Sequence, residues 1–149
     1  MTLAFEPVDY SDLNSAQKEN YNYHKISARL ADYGYTTIRL YDDFQGADFI
    51  AKHVDNGQLL LVQLKGRLTF DKKYERGDGE DPIHIAFRDG NDWYLYPHDE
   101  LLQSVFDHEE ISIIEGTKAW DDKGTYHIGS PSDTIKELLS PYRVPVPNA

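Results

Sequence analysis

Asp48, Gln63 and Lys65 lie in the stretch GADFIAKHVDNGQLLLVQLKGR, residues 46–67, whose other strand positions are mostly apolar. A carboxylate, an amide and an ammonium resist desolvation unless they find partners. Either they face solvent or they meet one another around something charged. The Asp55-Asn56-Gly57 run between them is a strong hairpin signal. With Asp55 and Asn56 as the turn residues, Asp48 faces Gln63; with Asn56 and Gly57, it faces Lys65. Side chains two apart share a face of a strand. Either register therefore gathers all three on one face, within roughly 5–8 Å across the pair, unless a bulge intervenes.

A fourth group comes from an earlier segment. Ala16, Tyr23, Ile26, Leu30 and Tyr33 recur at steps of three and four, predicting a helix over about Asp12 to Tyr33 that stops at Gly34. Glu19 falls in that stripe, on the face expected to pack against the sheet; the plainer reading puts it at the stripe's solvent edge. Two carboxylates, an amide oxygen and a lysine suit a hard divalent cation such as Mg²⁺ (or Mn²⁺). Such an ion takes oxygen ligands, keeps several waters and shares a substrate phosphate. It polarises the phosphoryl oxygen and acidifies an attacking water. The lysine, protonated, can hold that water or offset charge at phosphorus.

The elements that must position these groups read as follows. Tyr35 to Tyr41 is a strand, DDFQG (42–46) a turn, and the hairpin follows. Residues 66–74 continue its second strand or turn away, and ERGDGEDP (75–82) is a loop. IHIAFRDGNDWYLYP predicts a second hairpin around residues 89–92. Pro97 begins a helix with Leu101, Leu102, Val105 and Phe106 inward. ISII (111–114) and Tyr126 to Ile128 are candidate short strands. A last helix starts near Ser130-Pro131-Ser132 and runs to about Ser140, burying Ile135, Leu138 and Leu139, before the proline-rich tail. The order predicts a single domain, residues 1–149, of mixed α/β (α+β) class: one sheet with helices packed on it.

Composition narrows the function classes. The 149 residues are 40% apolar and 13% aromatic, which supports one sizeable core and argues against disorder. Cysteine is absent, so disulfides and thiolate metal sites are excluded. No apolar run reaches about 18 residues, and the N-terminus lacks a basic flank followed by an apolar stretch; a cytoplasmic protein without a membrane span is expected. The net charge of −11 repels nucleic-acid backbones at long range, so nucleic-acid binding requires a local positive patch. One exists: Lys65, Arg67, Lys72, Lys73 and Arg76 face only Asp71 and Glu75 within the same run.

The order Glu19, Asp48, hairpin, Gln63-x-Lys65 resembles the PD-(D/E)XK nuclease superfamily, the restriction-endonuclease-like group. The segments KENYNYHKISARLADYGY, DDFQGADFIAKH, VQLKGRLTFDKKY and IAFRDGNDWYLYPHDELL look like its small bacterial members, across most of residues 13–106. The resemblance implies a central mixed β-sheet flanked by helices and Mg²⁺-dependent endonuclease cleavage of a phosphodiester, with DNA favoured over RNA. Asp48 would be the principal metal ligand, joined by Gln63 and the accessory acid Glu19, and Lys65 would be the motif lysine. Two positions depart from the pattern: Gln63 is neutral where many members carry an acid, and Ala47 replaces the proline before Asp48.

Other readings stay open. A non-catalytic member of the same fold, acting with a protein partner, accords with the net charge and with Gln63. Pairing of two copies is also left open. Mimicry of nucleic acid by an acidic surface is disfavoured, since the acids are dispersed in loops and helix termini. Arg67, Lys72 and Lys73 follow the Gln63-x-Lys65 strand and are candidate phosphate contacts, or else a solvated strand end. The six histidines show no HExxH or HxH spacing, and no GxSxG or glycine-rich phosphate loop occurs.

Overall fold

In the computed structural model, which describes residues 1–108, 114 and 116–148 (backbone only at Asp43 and Phe44), the first long element is helix α1, Ser15–Ala31. A reciprocal capping box sets its start: Asn14 accepts from the Gln17 N–H, and the Gln17 side chain accepts from the Asn14 N–H, each at 2.9 Å. Gly34, at φ 84°, turns the chain out of the helix. Ile26 and Leu30 are buried and Tyr23 packs beside them, whereas Ala16 and Glu19 are exposed. The helix meets the sheet only beyond its second turn, so the predicted stripe is half as long as its spacing suggests.

The central sheet has six strands: β1 Tyr35–Phe44, β2 Ala47–His53, β3 Leu59–Leu64, β5 Ile83–Asp89, β6 Asp92–Pro97 and β8 Arg143–Val144, in the order β1-β2-β3-β5-β6-β8. All neighbours are antiparallel except β3 and β5. Parallel neighbours need a crossover. Here it is β4, Leu68–Asp71, followed by a 3-10 turn at Lys72–Tyr74 and the predicted loop. β4 pairs with β7, Thr125–Ile128, in a separate two-stranded sheet. Helices α2, His98–Asp107, and α3, Asp133–Leu139, complete the chain.

Alternation along the strands makes two cores. Phe49, Ala51, Leu60, Val62, Ala86 and Trp93 pack with Ile26 and Leu30 of α1. The other face, with Leu61, Ile83, Ile85, Phe87 and Tyr96, is covered by α2, α3 and the small sheet. The architecture is a central mixed, mostly antiparallel sheet flanked by helices, as the sequence leads one to expect.

Three boundaries differ from the sequence reading. The strand begun at Tyr35 continues to Phe44, and the turn shrinks to Gln45-Gly46, both at positive φ (52° and 82°), the geometry of a two-residue hairpin loop. The short β8 pairs Val144 with Trp93 and Arg143 with Tyr94 inside a tail that offered only a helix-stopping signal. The Trp120-containing segment forms a single wide helical turn, Ala119–Lys123, with Trp120 buried. The strand expected at ISII lies outside the described residues except for Ile114, which is buried.

Candidate active site

The hairpin adopts the register with Asp55 and Asn56 at its centre. Phe49, Ile50, Ala51 and Lys52 pair with Val62, Leu61, Leu60 and Leu59. Pairing ends at Phe49 and Val62, while β3 stays paired with β5 through Leu64 and Ala86. The Lys65 N–H then donates to the Ala86 carbonyl at 2.9 Å. Successive N–H groups point to opposite sides of a strand, so the Leu64 N–H faces the β2 side, where the ladder has ended. It donates instead to Asp48 Oδ2, at 2.8 Å. The two strands part here, and the Asp48 carboxylate occupies the opening, fixed against the Gln63-Leu64-Lys65 backbone.

Alternation assigns sides. Phe49 and Val62 face α1, so Asp48 and Gln63 lie on the opposite face, that of Ile50 and Leu61. Lys65 reaches the same side: its Nζ stands 5.4 Å from the centre of the buried Tyr74 ring. The Gln63 side chain is half-buried and makes no hydrogen bond with the described residues.

Glu19 belongs to α1 and thus to the other face. Its side chain is 59% exposed, and its carboxylate pairs with Arg39 at 3.4 Å. It does border a cleft of about 400 Å³ whose wall includes Leu64, Lys65 and Gly66. The structure therefore brings Asp48, Gln63 and Lys65 to one end of one face, and sets Glu19 across that end rather than beside them.

The flanking cations divide. Lys72 lies over the Trp120 ring at 5.2 Å, and Lys73 over Tyr74 at 5.1 Å with Asp71 at 3.9 Å. Arg67 is exposed and makes no ion pair with the described residues. His127, bonded through Nδ1 to the Thr69 hydroxyl at 2.8 Å, titrates below the ordinary histidine range. Its partial burial is the main cause; the positive charges of Arg67 and Lys65 add to it.

Two buried polar groups lock the crossover under the site. The Tyr96 hydroxyl donates to the Thr69 carbonyl at 2.6 Å and accepts from the Thr69 N–H at 3.2 Å; burial pushes its titration far up. His98 Nε2 accepts from the Asp71 N–H at 3.0 Å, so Nδ1 carries the proton given to Asp99 at 2.8 Å. Burial lowers the His98 pKa against the pull of Asp99, which keeps this neutral tautomer. Asp99 in turn accepts from the Arg76 N–H at 2.7 Å, and the Arg76 guanidinium donates to the Gln45 carbonyl at 2.7 Å. The β1–β2 turn is thus tied to the loop beyond Tyr74.

Whether these residues suit a divalent cation can be judged from the donor set. Asp48 offers a fixed carboxylate and Gln63 an amide oxygen, both hard donors suited to Mg²⁺. Among the described residues no group of three acidic or histidine side chains converges. The fit is that of a two-donor site, in which water and substrate phosphate complete the shell.

No signal in the sequence singles out Tyr10, Lys18, Asn22 or Arg88. Each looks like an ordinary polar position in its own segment. Only the tertiary fold, which sets Tyr10 and the first turns of α1 across a cleft from the end of β3, brings them beside Lys65.

No family model and no curated protein matches the sequence. Two solved structures are similar to it. One is Hjc of Archaeoglobus fulgidus, a Holliday junction resolvase, at 17% identity and TM-score 0.39, covering 52% of this chain and 76% of that one. The other is the bacterial homing endonuclease I-Ssp6803I, at 16% identity and TM-score 0.48, over 87% of this chain and 86% of its counterpart.

Proposed function

We propose that the protein is a metal-dependent nuclease that hydrolyses nucleic-acid phosphodiesters, with DNA as the expected substrate and the cytoplasm as its place of action. The observation that carries the reading is the Asp48 carboxylate held by the Leu64 N–H at the mouth between β2 and β3. That bond holds the carboxylate in one orientation, as hydrogen bonds to metal-ligating carboxylates do. Asp48 and Gln63 would hold Mg²⁺ or Mn²⁺, with Glu19 contributing from across the cleft. When bound, that cation polarises a phosphoryl oxygen and acidifies the attacking water. Lys65 orients the water and offsets negative charge building on the phosphoryl oxygens. The water's oxygen would bond to phosphorus and give one proton to solvent, while the bond to the leaving sugar oxygen breaks and that oxygen takes up a proton from solvent.

The second reading, a non-catalytic nucleic-acid-binding protein of the same architecture, draws on the Glu19 carboxylate being engaged by Arg39. Plasmid and single-stranded DNA incubated with Mg²⁺ or Mn²⁺, and with EDTA, separate the two. Metal-dependent cleavage abolished by Asp48→Ala and by Lys65→Ala is the expected result. A parent protein inert with both metals, while still binding DNA, leaves the second reading in place.

A further inference from the structure

We propose that Tyr10, Lys18, Asn22 and Arg88 form a subsite for a backbone phosphate of a nucleic-acid strand, beside Lys65; it rests on the nuclease reading and names where the strand beyond the cleaved bond would lie. Two adjoining clefts define the place. One, of about 220 Å³, is walled by Tyr10, Asn22, Lys65, Gly66, Arg88 and Gly90. The other, of about 400 Å³, shares Tyr10, Asn22, Lys65 and Gly66 and extends to Lys18 and Glu19.

Arg88 is the telling residue. It is half-buried on β5, its guanidinium 4.5 Å from the Tyr10 ring centre and 5.4 Å from that of Tyr21. It makes no hydrogen bond or ion pair with the described residues. In a chain with 26 acidic against 15 basic residues, a half-buried arginine would be expected to find a carboxylate. Ring faces attract a cation but accept none of its in-plane N–H bonds. Those donors form a planar fork that matches a phosphate. Lys18, 5.4 Å over the same Tyr10 ring, is likewise without an anionic partner among the described residues.

Tyr10 and Asn22 add a second, independent sign. The Tyr10 hydroxyl accepts from Asn22 Nδ2 at 2.9 Å, which leaves its own proton to donate, and no described residue receives it. Asn22 Oδ1 is buried with no partner, but it is an acceptor and does not count toward an anion site. Unspent donors of two cations and a hydroxyl, set around two adjoining clefts that share Tyr10, are the complement of a tetrahedral oxyanion. Lys65 lines both clefts, so the anion they fit is one carried by a strand that passes the end of β3.

The test is anisotropy of labelled single-stranded and duplex DNA oligonucleotides binding the full chain in EDTA, across a salt series, with inorganic phosphate as competitor. Arg88→Gln is expected to weaken binding about tenfold and to lower the log–log salt slope by about 0.7 to 0.9, the contribution of one phosphate. Arg88→Lys keeps the charge but loses the planar fork, so it is expected to keep the parent's salt slope while its affinity falls between those of the parent and Arg88→Gln. Tyr10→Phe keeps the ring, removes the hydroxyl donor together with the acceptor of Asn22 Nδ2, and is expected to cost about threefold, a readout that survives should Arg88→Gln fail to fold. Parental affinity and slope in both Arg88→Gln and Tyr10→Phe, or no binding of DNA by the parent, overturns the subsite. Displacement by inorganic phosphate at oligonucleotide-like concentrations also overturns it, in favour of a small-anion site. Weakened binding by Arg88→Gln in a protein that never cleaves leaves the subsite standing and removes the nuclease reading; cleavage with unchanged Arg88→Gln binding does the reverse.

Discussion

Under the proposed function Asp48 would have two tasks that a substitution can separate. Asparagine keeps an oxygen for the Leu64 N–H but removes the charge a cation requires. Asp48→Asn is therefore expected to melt near the parent while losing about a hundredfold or more in metal-dependent cleavage. Asp48→Ala should in addition lose about 1–3 kcal/mol of stability, because Leu64 is left without an acceptor; urea midpoints and cleavage rates on both variants check the pair. An Asp48→Asn protein that cleaves like the parent would remove Asp48 from the chemistry. For Glu19 the reasoning runs the other way. Its ion pair with Arg39 is largely exposed and contributes little, so Glu19→Gln should leave stability within about 0.5 kcal/mol of the parent. A tenfold or larger fall in cleavage by that variant would then report a role at the metal; an unchanged rate would reduce Glu19 to a partner of Arg39.

At the scale of elements, the mouth of the site depends on the crossover between β3 and β5. Tyr96 holds β4 by both backbone groups of Thr69, and His98 holds the Asp71 N–H. Tyr96→Phe leaves a buried N–H and a carbonyl unpaired and is expected to cost about 1–3 kcal/mol, read as a lower urea midpoint at unchanged slope. An unchanged midpoint would show that Thr69 finds other partners and that β4 is not anchored this way. The β1–β2 turn is the other fixed point. Gly46 sits at φ 82°, and a Cβ there would stand 3.5 Å from both Arg76 and Tyr74, ordinary contact. Backbone strain rather than space makes Gly46→Ala unfavourable, by about 1–2 kcal/mol on the same measurement.

Across the whole molecule, charge and histidine burial decide the response to pH. His84, His98 and His127 all titrate below the ordinary histidine range, chiefly through burial. The unfolded chain thus takes up protons near pH 6.5 that the folded chain refuses. Stability from these groups is fully present above that pH and declines as pH falls below it. The melting temperature is expected to drop between about pH 7 and pH 5. A flat profile over that interval would mean that these rings protonate in the folded state as readily as in the unfolded one. The net charge of −11 coexists with a cationic end where Lys18, Lys65, Arg67 and Arg88 gather.

The amino-acid order alone settled what is local. Turn signals at Asp55-Asn56-Gly57 and residues 89–92 delimit hairpins, and the period of two places Asp48 and Gln63 on a common face in either of the two registers that the first turn offers. The 3.6-residue period delimits α1, α2 and α3 to within a few residues. What it could not settle is which side of the sheet a helix covers, because a stripe records that a face is buried and not against what. The stripe alone therefore does not say on which side of the sheet Glu19 lies. The parting of β2 from β3, the small β4–β7 sheet and the meeting of Arg88 with Tyr10 all join residues far apart in the chain. Their energies come from long-range packing, for which no short window of sequence carries a signal, so only the tertiary structure decides them.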